Sequence, residues 1–274
     1  MADQDNSIIL AGCGNMGRAM LQGWLSNGIL QHENVHVVEP NGDLRQLATD
    51  LGVQTYASAE ALPESFAPTL IVLAVKPQVM FEVTPAYTKY VAHGSAFLSV
   101  AAGVRVARFE EALGAQTAII RVMPNTPAAI SKGMMVIFNN LNVTDKQSAF
   151  VEQLMRASGE IAVVEDEAMM DAVTAVSGSG PAYIFHFIEA LRDAGIAAGI
   201  PEETAKLLAE QTIYGAACYA KDSDIEPGVL RQQVTSPNGT TAAALDVLMG
   251  EDALTKLVSS AVDAAKKRSE ELAG

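Results

Sequence analysis

The 274-residue sequence has few cysteines, few aromatic residues and few basic residues. Its two cysteines, Cys13 and Cys218, are too few for a disulfide framework or a cysteine-based zinc site. Aromatic residues make up 5% of the chain, which argues against a surface that stacks nucleic-acid bases. Lysine and arginine number 18 against 32 acidic residues, and the resulting charge of -14 disfavours binding to nucleic acid or anionic lipid.

The sequence also lacks a long apolar run and a basic, then apolar, leader at its N-terminus. We therefore expect a cytoplasmic protein with no membrane partner. The four histidines have no metal-ligand spacing, so we expect no metal site. Hydrophobic residues reach 49% of the chain, which excludes disorder and allows a sizeable core.

Residues 1–165 alternate short apolar runs with helical segments. The runs are nearly continuous in apolar side chains, which is typical of strands covered on both faces. The predicted strands are 7–11, 34–39, 69–75, 96–100, 118–123, 133–138 and 160–164. Helices are predicted between them at 16–25, 44–51, 106–113 and 145–157. This alternation predicts an α/β fold whose N-terminal domain is a doubly wound parallel sheet of the Rossmann type.

Residues 166–274 show helical periodicity, many alanines and glycines, and no convincing strand. Segment 183–198 is apolar around most of its circumference, so we expect a helix buried on nearly all sides, with His186 as a packing residue. An alanine-rich helical domain of this length has a thin core of its own. We therefore expect it to associate with a second subunit.

A G-x-G-x-x-G motif directly follows the first predicted strand and opens the first predicted helix. In this context Gly12 permits a tight turn, Gly14 lets the backbone approach a pyrophosphate, and Gly17 allows close packing of helix on strand. The helix N-terminus then faces the anion. The motif assigns these residues to a dinucleotide: Ala11, Gly12, Gly14, Asn15, Met16 and Gly17.

Glu39 stands at the end of the second predicted strand, 22 residues after Gly17. An acidic residue at this distance binds the ribose hydroxyls of NAD and repels the additional phosphate of NADP. Asn41 and Arg45 follow and could turn toward that phosphate, so NADH is favoured while NADPH stays open. An ordinary solvated strand end is the alternative interpretation of Glu39.

The next two predicted strands end in small residues. Ligands of an open parallel sheet lie beyond the carboxyl ends of its strands, where small side chains leave room for a dinucleotide. We therefore add these residues to the cofactor site: Ala74, Val75, Lys76, Pro77, Val100, Ala101 and Ala102.

Two segments of the helical half, 177–181 and 234–241, are predicted to open helices and to present free backbone amides that could hold a carboxylate. Neither segment contains His, Lys, Asp, Glu or Cys. Reduction of a ketone needs a proton donor, whereas a protonated imine already has its proton. Hydroxyls and amides suffice for an imine, with Thr241 bonded to the ring nitrogen and the Thr240 and Thr241 amides holding a carboxylate.

The chain resembles the pyrroline-5-carboxylate reductase family. The similarity covers essentially the whole sequence, at segments 12–17, 74–78, 100–104, 121–127, 177–183 and 234–245. The last of these resembles the family signature and is highly specific. The resemblance implies a Rossmann domain followed by a helical dimerisation domain, sometimes assembled into rings. It also implies hydride transfer from NADPH or NADH to C5 of 1-pyrroline-5-carboxylate, which gives L-proline in the last step of proline biosynthesis.

The resemblance also assigns residues. The loop that contains Val234, Thr235, Ser236, Gly239 and Thr240 would bind the substrate carboxylate, and Thr241 would contact the ring nitrogen as the catalytic residue. Ser179 would join the substrate site, and Ser58 would contact the adenosine side of the cofactor.

Two positions depart from the family pattern. Asn238 replaces a glycine, although asparagine tolerates left-handed backbone. Glu39 replaces a small polar residue, which puts the family's usual NADPH preference in doubt.

Two other functions fit the same domain plan. A 3-hydroxyacid oxidoreductase would use a lysine on an interdomain helix, but no lysine lies between Lys146 and Lys206. A dinucleotide-sensing protein without turnover is a further alternative, and the intact segment around Thr241 argues against it.

Overall fold

The computed structural model describes residues 6–273, and the strands of this part form one sheet in the order β3-β2-β1-β4-β5-β6-β7-β8. The strands are β1 (Ile8–Ala11), β2 (Val35–Val38), β3 (Gln54–Tyr56), β4 (Leu70–Leu73), β5 (Ala96–Ser99), β6 (Ile119–Met123), β7 (Gly133–Asn139) and β8 (Gly159–Val164). Neighbouring strands are parallel, with the exception that β6 and β7 are antiparallel.

Two features of the sheet differ from the sequence prediction. The three-residue strand β3 was not predicted, because Gln54 and Thr55 interrupt any apolar run. The sheet is also not wholly parallel, because the chain reaches β7 after the nine residues 124–132. A parallel partner needs a crossover of a dozen or more residues, so this short connection makes β7 antiparallel to β6.

The helices are α1 (Asn15–Ser26), α2 (Gly42–Thr49), α3 (Met80–Val83), α4 (Val106–Leu113), α5 (Asp145–Arg156), α6 (Met169–Val173), α7 (Gly180–Ala197), α8 (Glu202–Asp222), α9 (Pro227–Gln233), α10 (Thr240–Met249) and α11 (Ala253–Ala273). The helices predicted at 16–25, 44–51, 106–113 and 145–157 are present, as is the helical character of the chain after β8, whereas α3 was not predicted. A 3₁₀ helix covers Thr84–His93, and a π-helical turn, Thr174–Gly178, joins α6 to α7. As predicted, no strand follows β8 in the described part of the chain.

Hydrophobic cores cover both faces of the sheet. Ile8 and Leu10 point into one core, where Trp24 of α1 packs with residues of α5 and donates its indole N–H to the Leu154 carbonyl at 3.0 Å. Ile9 lies in the other core with residues of α4 and of the 3₁₀ helix. Burial of alternate residues on opposite faces confirms the expected double covering.

The chain forms two compact units. Of the described residues, the first unit comprises 6–179 and 265–273, and the second comprises 180–264. In the first unit, Met170 of α6 packs with Met123 and Val136 of the sheet, and the buried Ser269 hydroxyl donates to the Asp171 carboxylate at 2.6 Å. These contacts place residues 166–179 with the sheet, whereas the sequence puts the domain boundary at 165/166.

Few residues of the second unit are fully buried within a single chain. Of residues 180–264, all of which the structure describes, Ala205 and Ala209 alone are buried. The expectation that α7 is buried on nearly all sides is therefore wrong for a single chain, since Phe185 is 58% exposed. His186 is likewise not a packing residue, because it is exposed and lies 3.2 Å from Glu189. No helix among the described residues is long and apolar enough to span a membrane.

Candidate dinucleotide and substrate sites

The glycine turn between β1 and α1 has the geometry that the motif predicts. Gly12 has φ +91°, and a Cβ there would lie 2.8 Å from the Ala74 carbonyl oxygen. A Cβ at Gly17 would lie 2.4 Å from the Gly12 carbonyl oxygen. A Cβ at Gly14 would meet no heavy atom within 4 Å. Gly12 and Gly17 are therefore required by the fold, whereas Gly14 leaves open space beside the first turn of α1, where an anion is favoured.

A cavity of about 470 Å³ lies beyond the carboxyl ends of β1, β2 and β4. Its walls are largely apolar, with few polar groups, as is usual for a cofactor cleft. It brings together these residues of the predicted cofactor site: Ala11, Gly12, Gly14, Glu39, Ser58, Ala74, Val75 and Lys76.

The remaining predicted cofactor residues do not line this cavity. Asn15, Met16 and Gly17 form the first turn of α1. Pro77 begins a short 3₁₀ helix after β4. Val100, Ala101 and Ala102 follow β5 at the same edge of the sheet, where the Ser99 hydroxyl accepts from the Ala101 amide at 3.2 Å.

Several residues of the cavity wall were not found from the sequence. Leu44 comes from α2, Val83 from α3 and Tyr87 from the 3₁₀ helix, while Glu60 follows Ser58 after β3. Glu60 and Tyr87 lie there because β3 and the 3₁₀ helix place them, and neither element has a strong sequence signal. Recognition of β3 would have pointed to the loop after it, since ligands lie beyond strand ends.

Glu39 is buried and both oxygens of its carboxylate have protein partners. One oxygen accepts from the Cys13 amide at 2.7 Å, and the other accepts from the Asn41 amide at 2.9 Å. Glu39 is therefore not the solvated strand end of the alternative interpretation. Its carboxylate fixes a negative charge at the cavity wall and joins the end of β2 to the glycine turn.

The side chains of Asn41 and Arg45 bond to backbone groups of neighbouring residues, and neither residue lines the cavity. The Asn41 side chain caps α2 by accepting from the Leu44 amide at 3.0 Å. The Arg45 guanidinium donates to the carbonyl oxygens of Glu39 and Pro40 at 2.8 and 3.0 Å. Both residues lie at the N-terminus of α2, an end of a helix that favours anions.

The surroundings of the cavity shift three pKa values. Burial, with a smaller effect of the Glu39 charge, raises the pKa of Cys13 to about 11, so the thiol is neutral and unreactive at neutral pH. Burial also raises the pKa of Tyr87, which keeps its phenol neutral. The Ser58 hydroxyl lowers the pKa of Glu60 by hydrogen bonding to its carboxylate.

The predicted substrate loop, 234–241, lies between α9 and α10 in the second unit. Asn238 has φ +57°, which confirms that this position needs left-handed backbone. Gly239 is the extended N-cap residue, and α10 begins at Thr240 as expected. The first amides of a helix have no partner within it, so those of Thr240 and Thr241 have none within α10.

Within this loop, Thr235 and Gly239 already have backbone partners. The Thr235 hydroxyl donates to the Arg231 carbonyl at 2.6 Å and its amide to the Gln232 carbonyl at 3.0 Å. The Gly239 amide donates to the Ser236 carbonyl at 3.0 Å. These bonds close the loop ahead of α10, while Val234 is 66% exposed.

Segment 177–181 opens α7 as predicted, since α7 begins at Gly180 and has Pro181 in its first turn. The Ser179 amide donates to the Thr174 carbonyl at 2.8 Å, five residues back, so the segment continues from α6 through a π-helical turn into α7. The sequence did not predict that the chain is already helical ahead of this start, in α6 and the π-helical turn. The Ser179 amide is therefore not free for a carboxylate.

A buried ion pair was also not found from the sequence. Arg121 of β6 pairs with Glu167, which also accepts from the Val106 amide at 2.8 Å. Arg121 is 5% exposed, and the pair joins β6, the start of α4 and the segment before α6.

Comparisons with known proteins identify the family. A family model for pyrroline-5-carboxylate reductase dimerisation matches residues 167–272, and a model for NADP oxidoreductases dependent on coenzyme F420 matches residues 7–103. The pyrroline-5-carboxylate reductase of Pseudomonas aeruginosa is 38% identical over 97% of this chain and 96% of its own length. The chain belongs to the pyrroline-5-carboxylate reductase family.

Solved structures of pyrroline-5-carboxylate reductases share the fold. The enzyme of Coxiella burnetii superposes with a TM-score of 0.92 at 35% identity, covering 98% of this chain and 99% of that one. The Plasmodium falciparum enzyme, with NADP bound, superposes with a TM-score of 0.84 at 30% identity, covering 99% of both chains. Membership in this family favours an imine reductase over the 3-hydroxyacid alternative.

Proposed function

We propose that this chain reduces 1-pyrroline-5-carboxylate to L-proline with NADPH or NADH, the last step of proline biosynthesis. The observation that supports this most strongly is the full-length relationship to pyrroline-5-carboxylate reductases, combined with a glycine turn beside an open cavity. The substrate loop, 234–241, also folds as its sequence predicts, with Asn238 in left-handed backbone and α10 starting at Thr240.

The cavity fits a nicotinamide dinucleotide. Open space at Gly14 leaves room for a pyrophosphate beside the N-terminus of α1, and the cavity wall offers Glu39, Ser58 and Lys76 as polar groups. Small residues after β4 and β5, Ala74 and Ala101 among them, leave space at the edge where ligands of such sheets lie. When bound, the cofactor supplies a hydride.

For the substrate, the loop provides position and polarity rather than a proton donor. The amides of Thr240 and Thr241 hold the carboxylate at the positive end of α10. The Thr241 hydroxyl hydrogen-bonds the ring nitrogen, which becomes a neutral amine after reduction. Val234, Ser236 and the Ser179 hydroxyl complete the substrate site in this proposal.

The second unit supports self-association as a homodimer or a higher ring. Large apolar side chains are exposed along its helices, including Phe185 of α7, Leu207 of α8 and Val247 of α10, which are 58%, 64% and 75% exposed. So many exposed large apolar side chains in one unit indicate an interaction surface. The matching dimerisation model, over residues 167–272, indicates another copy of this chain as the partner. We place this assembly in the cytoplasm.

The proposal is tested by the oxidation of NADH and NADPH by the purified protein, with and without 1-pyrroline-5-carboxylate. We expect oxidation that depends on the imine, and size-exclusion chromatography with light scattering should give at least a dimer. Dinucleotide binding with no turnover on any cyclic imine would contradict the proposal and favour the dinucleotide-sensing alternative.

A further inference from the structure

Pro181 leaves one carbonyl group of the helix without its usual donor. In an α-helix the carbonyl of residue 177 accepts from the amide of residue 181, but proline has no N–H. Directly before Gly180 and Pro181 the chain forms a π-helical turn, Thr174–Gly178, in which the Ser179 amide donates to the Thr174 carbonyl. π-Helical turns are rare in proteins, and those that occur are often found at functional sites.

Asn125 supplies the missing donor from another element. Its side-chain Nδ2 donates to the Ser177 carbonyl at 3.0 Å, and its Oδ1 accepts from the Met134 amide at 2.9 Å. The two partners fix the orientation of the amide, since Met134 offers a donor and Ser177 an acceptor. Asn125 follows β6 by two residues, so this one side chain joins the carboxyl end of β6, the start of β7 and the π-helical turn.

The turn is also packed closely against β6. A Cβ at Gly178 would lie 3.4 Å from Met123 Sδ. Residues 177–179 are the last of the first unit before α7. β6 runs parallel to β5, so its carboxyl end lies at the edge of the sheet that holds the dinucleotide cavity.

We propose that Asn125 is a positioning residue for imine reduction: it replaces the donor that Pro181 lacks and so holds the turn that ends in Ser179. The function of the segment 121–127 is otherwise unassigned. Both ends of the Asn125 amide have a protein partner, so it acts through the Ser177 carbonyl rather than by touching the substrate. The expected effect on kcat rests on the proposed function. The expected effect on stability rests on the Asn125–Ser177 contact.

The test uses the full-length variants Asn125→Asp, Pro181→Ala and the double variant. Asn125→Asp keeps an acceptor for Met134 but removes the donor to Ser177, and Pro181→Ala restores a backbone donor to the same carbonyl. For Asn125→Asp we expect kcat with 1-pyrroline-5-carboxylate to fall about tenfold, the effect of one unsatisfied carbonyl. The Kd for the dinucleotide should stay within about twofold, because Asn125 does not line the cavity.

Two rescues distinguish positioning from a general loss of structure. The double variant should recover most of the lost kcat. The deficit of Asn125→Asp should also shrink as the pH falls from about 8 to about 4, near the ordinary pKa of an aspartate, because protonation lets the introduced carboxyl donate to Ser177. Asn142→Asp is the matched control: Asn142 also donates to backbone carbonyls, those of Ala115 and Thr117 before β6, and its loss should leave the kcat unchanged.

Thermal unfolding of the same variants tests the Asn125–Ser177 contact independently of the proposed function. If Pro181→Ala restores the melting temperature in the Asn125→Asp background, the result supports the Asn125–Ser177 contact whether or not the protein shows turnover. A wild-type protein without turnover would contradict the proposed function alone. Wild-type kcat in Asn125→Asp, an equal loss of dinucleotide affinity, or no recovery of either stability or kcat in the double variant would overturn the inference.

Discussion

The Glu39 carboxylate and the Cys13 amide lie 2.7 Å apart, and this hydrogen bond joins the end of β2 to the glycine turn after β1. The other carboxylate oxygen accepts from the Asn41 amide at the start of α2. One acidic side chain therefore orders the backbone on two sides of the cavity and also places a negative charge there. Substitution by glutamine separates these effects, because glutamine keeps the size but has one acceptor oxygen and no charge.

The first prediction concerns the choice of cofactor. Glu39→Gln should weaken NADH binding by about tenfold, since one of the two backbone amides loses its acceptor. NADPH binding should weaken less or become tighter, because the fixed charge that repels its additional phosphate is removed. Titration calorimetry with both dinucleotides measures the ratio of the Kd for NADH to the Kd for NADPH. Glu64→Gln, at an exposed position outside the cavity wall, is the control, and an equal change for both cofactors would limit Glu39 to a structural role.

The second prediction separates glycines that the fold requires from a glycine that the cofactor requires. Gly14→Ala should change the melting temperature little, because its Cβ enters open space, but should lower dinucleotide affinity by about tenfold or more. Gly17→Ala should lower the melting temperature by several degrees, roughly 2–4 °C per kcal/mol lost, because its Cβ would meet the Gly12 carbonyl. Calorimetric melting with and without cofactor compares the two. Equal destabilisation would contradict this division.

The third prediction concerns acid stability. His36 stacks on Phe66, with ring centroids 3.7 Å apart, and burial lowers the pKa of its imidazole. The unfolded chain therefore binds the proton more readily, so stability is complete above the ordinary imidazole pKa of about 6.5 and is lost as the pH falls through the folded value.

Urea unfolding at about pH 7.5 and about pH 5.5 tests this expectation. His36→Phe should lose less free energy of unfolding between these pH values than the wild-type protein. His93→Gln, at an exposed position, should lose as much as the wild type. If His36→Phe shows the wild-type loss, other groups determine the acid sensitivity.

The fourth prediction addresses the catalytic hydroxyl. Thr241→Ala should lower kcat by about one to two powers of ten through the loss of one hydrogen bond formed in the transition state. Cofactor affinity should be nearly unchanged, because the cavity that fits the dinucleotide belongs to the first unit and Thr241 to the second. Thr255→Ala, on the exposed surface of α11, is the control. Unchanged kinetics would remove Thr241 from the mechanism.

Local signals predicted most of the sheet and the glycine turn. The runs that became β1, β4, β5 and β6 are buried on both faces, so continuous apolar sequence identified them directly. The turn at Gly12 was equally predictable, because a positive φ and a close approach to Ala74 both demand glycine. The left-handed backbone at Asn238 followed from the family resemblance, since asparagine there replaces a glycine and tolerates this conformation.

What the sequence could not predict depends on contacts between distant segments. Ser177 and Asn125 are 52 residues apart, so nothing local shows that the carbonyl freed by Pro181 finds a side chain. Glu39 was recognised as a charge near the cofactor, but its bond to Cys13 depends on the register of β1 and β2. The apolar circumference of α7 predicted that the helix is buried. It could not show that a single chain leaves most of this helix exposed.

Tracing the hydride tests the central claim most directly. The protein would be incubated with 1-pyrroline-5-carboxylate and with NADH or NADPH deuterated at the transferable position of the nicotinamide, and the product would be analysed by mass spectrometry and NMR. The account predicts L-proline with a single deuterium at C5 from at least one of the cofactors. Absence of proline, or proline without deuterium at C5, would contradict it.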